Sequence, residues 1–223
     1  MPGLIASADG LIKTLGMRGP VDLPRRWWVL PLLVLCTGPV YGAFMGSFAL
    51  HSWDRAAMIV YAAVKVPLLI FVTSLVCVPG FFVLNTVLGL RDDFGRAMRA
   101  IFAGQAGLTV ALASLGPITR FVYSSGVNHR QALLFNAAMF TVATIIGQIV
   151  MLRRYRELVT IPERGGRHRL MLWAWVVLYA FVGMQMGWML RPFVGAPAFP
   201  VSFFRDEPFS NAYVVIARLI FGR

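Results

Sequence analysis

The sequence predicts an all-α, polytopic membrane helical bundle. It has five transmembrane helices, an N-in/C-out topology, and short interfacial helices at both termini. Three observations predict this. Of 223 residues, 58% are hydrophobic and only 13% charged, against about 45–50% and about 25% in soluble domains. Apolar runs long enough to cross about 30 Å of hydrocarbon recur at 27–50, 57–90, 100–119, 131–152 and 170–190. All nine acidic residues lie outside those runs, as the cost of placing charge in hydrocarbon requires. With a mean hydropathy of +0.72, the composition excludes a soluble globular domain, a disordered chain and a coiled coil.

Residues 1–26 are expected to form a cytoplasmic segment. In it Leu4, Ile5, Leu11, Ile12 and Leu15 recur at helical spacing between Ser7, Asp9 and Lys13, which predicts an amphipathic helix on the inner leaflet. The transmembrane domain spans 27–190. Its first run carries Gly38, Gly42 and Gly46 on one helix face; glycines four apart allow another backbone to approach closely, within the chain or from a partner. The second run would make a helix of about 51 Å, and Pro67 and Pro79-Gly80 interrupt it. A split at Pro79 leaves 81–90 too short to cross, so one kinked, tilted span with an interfacial first turn is expected.

The third run repeats the small-residue spacing at Ala103, Gly107 and Ala111, and the fifth at Gly183 and Gly187. Residues 191–223 form an outer tail. Pro192, Pro197, Pro200 and Pro208 exclude a continuous helix there, and Asn211 is placed to cap a last helix too short to cross.

Orientation follows from the basic residues. With five spans and the amino terminus inside, thirteen Lys and Arg fall on the cytoplasmic side and seven on the outer side. A sixth crossing would export the arginine-rich segment 153–169, against the positive-inside rule. The six tryptophans fall near span ends, where the amphipathic indole ring is favoured. A net charge of +12 would suggest nucleic acid in a soluble protein. Here the charges sit in short segments between spans and face lipid headgroups, so membrane lipids are the expected partners and nucleic acid is not.

Lys65 is the one ionisable residue well inside a span, a candidate for lipid or ion contact; its stem is long enough to snorkel to the outer interface. Gln105 and Thr109 on the third span, with Asn136, Thr141, Thr144 and Gln148 on the fourth, are the modest polar groups that bond across membrane helices. Asp92-Asp93 lack the further acids a metal-dependent transferase places one turn on, and are expected to cap the third helix. Cys36 and Cys77 lie in apolar runs, and His51, His129 and His168 are scattered over both membrane faces. No disulfide, metal, cofactor or catalytic residue is therefore expected. Phe193, Phe199, Phe203, Phe204 and Phe209 concentrate in the outer tail as an apolar patch that either folds onto the bundle's outer mouth or docks a partner.

The stretch Lys65-Val66-Pro67-Leu68-Leu69, then Leu88-Gly89-Leu90 and Phe94, and then Met98-Arg99-Ala100 resembles bacterial Yip1-type five-span membrane proteins. Leu190-Arg191-Pro192-Phe193-Val194-Gly195 resembles a tail of uncharacterised bacterial multi-pass proteins. The resemblance covers most of 20–190 and lacks the cytoplasmic domain that binds eukaryotic partners. It implies a non-enzymatic protein of the bacterial inner membrane that acts through lipids or partners. The leading expectation is thus a scaffold or accessory subunit, whose partner is another membrane protein or a second copy. The alternative is a small transporter or channel using Lys65 and the polar faces of spans three and four.

Overall fold

The computed structural model describes residues 28–49, 55–195, 201–204 and 213–214. Among them are five helices long and apolar enough to cross a membrane: α1 (Val29–Gly46), α2 (Ala57–Val87), α3 (Phe94–Ser124), α4 (His129–Val159) and α5 (Gly165–Met189). No strand occurs among the described residues. Helices α3 and α4 outrun their apolar windows at both ends and α5 at its start, because flanking polar and charged residues continue the same backbone pattern, while α1 and α2 stay within theirs. The 31 residues of α2 form one helix that carries both Pro67 and Pro79. Each proline costs a backbone bond, but in lipid no water competes for the remaining N–H and C=O groups. At about 46 Å, such a helix tilts or protrudes from the hydrocarbon.

Local chemistry sets the turns. Gly89 (φ 69°) follows α2 and Gly126 (φ 77°) follows α3, both in the left-handed region that glycine enters without steric cost. Asn128 then opens α4 with a capping box: its Oδ1 accepts from the Gln131 N–H, and Gln131 Oε1 accepts from the Asn128 N–H, both at 2.9 Å.

The helices form a ring. Helix α1 lies between α2 and α3, α3 packs along α4, α2 packs along α5, and α4 meets α5 to close the circuit. Glycine makes the tight crossings. A Cβ on Gly42 would stand 2.3 Å from the Ala62 carbonyl oxygen, and one on Gly46 2.6 Å from that of Met58. The Gly38–Gly42–Gly46 face is therefore covered by α2 of the same chain, the first of its two expected uses, and is closed to a partner's helix.

At the α3–α4 crossing the backbones approach at Gly104 and Gly147, where a Cβ on either would stand within 3 Å of the other's carbonyl oxygen, rather than along the Ala103–Gly107–Ala111 spacing. Ala103 instead packs toward Leu30 and Val34, and Gly107 meets Val150. In the fifth span, Gly183 meets Thr73 of α2 while nothing lies within 4 Å of a Cβ on Gly187.

The core divides by level. At one end Tyr41, Met45, Phe48, Leu112 and Tyr123 pack with Val194; Leu30, Val34, Ile70, Ala106 and Val150 fill the middle. At the other end Phe81, Leu90, Ile101, Tyr155, Met171 and Trp175 pack together. Trp175 is thus a core residue, edge-on to Phe81 and stacked on Tyr179, and not part of an interfacial belt. Trp28 and Trp173 are exposed. Cys36 and Cys77 are free thiols. The expected terminal helices lie outside the described residues, apart from Tyr213 and Val214, which are helical. The Tyr213 ring stacks on Phe181 of α5, and its hydroxyl donates to the Phe181 carbonyl.

Candidate functional site

Eight residues into α2, Lys65 has no exposed surface. Tyr61, one turn earlier, and the two described stretches of the outer tail enclose it. Lys65 Nζ donates to the Pro192 carbonyl oxygen at 2.7 Å. The Phe203 ring lies 4.8 Å from the ammonium and the Phe193 ring 6.0 Å, distances at which a π face attracts a cation. Tyr61 stands edge-on to Phe203 at 5.3 Å. No ion pair within 4.0 Å joins Lys65 to a carboxylate among the described residues.

One expectation is corrected here: Lys65 does not snorkel to headgroups, since its own chain covers it. Phe193 and Phe203 take the first of their two expected courses and fold onto the bundle, turned onto the lysine, while Phe204 stays about half exposed. Phe199 and Phe209 lie outside the described residues.

The arrangement makes Lys65 a tie between α2 and the segment after α5. Replacing it by methionine keeps the volume and removes a buried charge, a change that is often neutral or stabilising. Lys65→Met should therefore leave the unfolding temperature within a few degrees of wild type. A Val194→Cys reporter, buried in the parent, should at the same time become reactive to a membrane-impermeant maleimide. An unchanged labelling rate would show that the tie lies elsewhere.

The other polar residues do not converge on Lys65. Gln105 Nε2 donates to Ser74 Oγ of α2 at 2.6 Å, and Ser74 in turn donates to the Ile70 carbonyl. Thr109 bonds back to the carbonyls of its own helix. Gln148 is half-buried on α4, one residue past the Gly147 crossing, and Thr141 and Thr144 are exposed on the same helix. Lys65, Gln105 and Gln148 thus occupy three separate environments.

Two clusters escape sequence reasoning. Toward the Lys65 end, Asn136 accepts from the Tyr41 hydroxyl at 2.9 Å and donates to the Tyr123 hydroxyl and the Ala132 carbonyl, joining α1, α3 and α4. At the opposite end Asp93 is the residue before α3 but makes no side-chain capping bond. Its carboxylate faces His168 Nε2 at 3.4 Å, Arg164 at 3.6 Å and Arg96 at 3.7 Å. That corrects its expected role as a helix cap. His168 is fully buried and stands edge-on to the Tyr155 ring. The only signal in the sequence was an acid beside a helix start, and that pattern is far commoner as a cap. Among the described residues no group of three or more His, Cys, Asp or Glu side chains could hold a metal.

Comparisons with protein-family models, curated proteins and solved structures found no match. No family is assigned.

Proposed function

We propose that this chain is a non-catalytic subunit of a membrane assembly, a scaffold or accessory protein that binds another membrane protein along α5. The observation that carries this reading is the outward face of α5. Leu170, Trp173, Val177 and Met184 are exposed along one stripe, interrupted at Phe181, on which the chain's own Tyr213 stacks, and Gly187, three residues after Met184, has open space where a side chain would stand. Glycine offers lipid little contact area, but it admits a second helix backbone. Apart from Gly95 in the first turn of α3, the glycines of α1, α3 and α4 already serve contacts inside the bundle.

The Asp93 end is placed in the cytoplasm by its arginines, under the positive-inside rule. The resemblance to bacterial Yip1-type proteins supports the bacterial inner membrane as location. A transport path would need Lys65, Gln105 and Gln148 on one wall, and their separate environments speak against it.

A photo-crosslinking residue at Val177 or Met184 should give one discrete protein adduct in native membranes. The same residue at Leu75, exposed on α2, should give only lipid adducts. Lipid adducts alone at all three positions would overturn the proposal.

A further inference from the structure

At the Asp93 end three helix termini meet: the last residues of α2 and the first turns of α3 and α5. Arg167 reaches from α5 to donate to the Leu88 carbonyl at the end of α2, at 3.3 Å, and Arg96 and Arg164 flank Asp93. Two guanidinium groups therefore stand beside one carboxylate, with a third at the end of α2, and the ion-pair distances of 3.6–3.7 Å leave most N–H groups of Arg96 and Arg164 to other acceptors. All three arginines are exposed.

The backbone adds donors of the same sign. Neither α3 nor α5 has a side-chain cap at its start, and the positive end of each helix dipole lies there, although the Phe94 and Gly165 N–H groups are already bonded to the Arg91 and Ile161 carbonyls. Nothing lies within 4 Å of a Cβ built on Gly95 or Gly166, whereas one on Gly165 would meet the Val159 carbonyl oxygen. Deeper in, the Tyr155 hydroxyl is fully buried and has no hydrogen-bond partner. Residues 91–99 and 163–169 hold six arginines against three acids, Asp92, Asp93 and Glu163, so the corner is net positive.

We propose that this corner binds a phosphate group, held by Arg96, Arg164 and Arg167 over the uncapped starts of α3 and α5. Phosphate fits because several oxygens can each take a guanidinium or backbone N–H, and helix N-termini favour such anions. Asp93 does not block it. Two arginines already offset its charge, and it fixes their guanidinium groups in place. The source is either an anionic phospholipid headgroup or a free phosphate compound. The inference is independent of partner docking on α5.

Calorimetry on the full chain in a neutral detergent tests it, with short-chain phosphatidylglycerol, phosphatidylcholine of the same chain length and inorganic phosphate as probes. Phosphatidylglycerol is expected to bind at least tenfold tighter than phosphatidylcholine. Displacement of it by inorganic phosphate would identify the free anion as a competent ligand, and its persistence would identify the lipid.

Arg164→Gln/Arg167→Gln should weaken binding at least tenfold. Arg153→Gln/Arg156→Gln, which removes equal charge from α4, should weaken it less than threefold. Gly166→Glu keeps every arginine but fills the open space with a carboxylate, and should abolish binding while the protein stays monodisperse. Equal losses in the two double variants, or no preference for either phosphate probe over phosphatidylcholine, would overturn the proposal.

Discussion

Gly42→Leu is expected to leave little folded protein. Even the first carbon of the new side chain would lie 2.3 Å from the Ala62 carbonyl oxygen and 2.7 Å from the Ala63 Cα. Both neighbours are backbone, so no rotamer change relieves the clash. Helix α1 must move away from α2 along its length, which also loosens the Gly38 and Gly46 contacts. Overpacking a core typically costs about 1–3 kcal/mol, and a backbone-to-backbone clash belongs at or above the top of that range. Thermal unfolding followed by circular dichroism in detergent should show a fall of more than 10 °C, or no cooperative transition. Gly187→Leu is the matched control, since open space receives its side chain; its effect should stay within about 0.5 kcal/mol, as for most surface changes. Similar losses for both variants would mean that the α1–α2 contact does not carry the bundle.

Asn136→Leu should be the most damaging change of a polar side chain. One amide serves the hydroxyls of Tyr41 and Tyr123 from two other helices. Apolar replacement leaves both hydroxyls short of a partner where water is scarce, and each such loss costs about 1–3 kcal/mol. Tyr41→Phe removes one donor and leaves the amide its other two contacts, so it should cost about 1 kcal/mol. The ordering Asn136→Leu well below Tyr41→Phe in unfolding temperature is the measurable outcome. If Tyr41→Phe is as harmful as Asn136→Leu, the amide is not the hub of the cluster.

The spans were legible because burial in lipid leaves a one-dimensional signal: long apolar runs, acids excluded from them, arginines massed between them. The single-helix reading of α2 followed from length, since 81–90 is too short to cross, and from the arginines that a sixth crossing would export. Lys65 stood out because an ammonium in such a run needs a reason. What covers it was not legible, since Pro192 and Phe203 are more than a hundred residues away and a carbonyl acceptor has no sequence mark. The same limit hid Asp93–His168 and Tyr41–Asn136–Tyr123, where ordinary residues gain their meaning from a neighbour on another helix. Glycine spacing identified the packing face of α1 but not its occupant. It missed the Gly104–Gly147 contact, because one glycine on each of two helices makes no repeat in either.

The Gly104–Gly147 crossing has a consequence for motion. With no side chain between the two backbones, α3 and α4 hold nothing there that could change rotamer and let one slide past the other. The pair is expected to travel as one rigid body, and any breathing of the ring to open at the thinner α4–α5 seam.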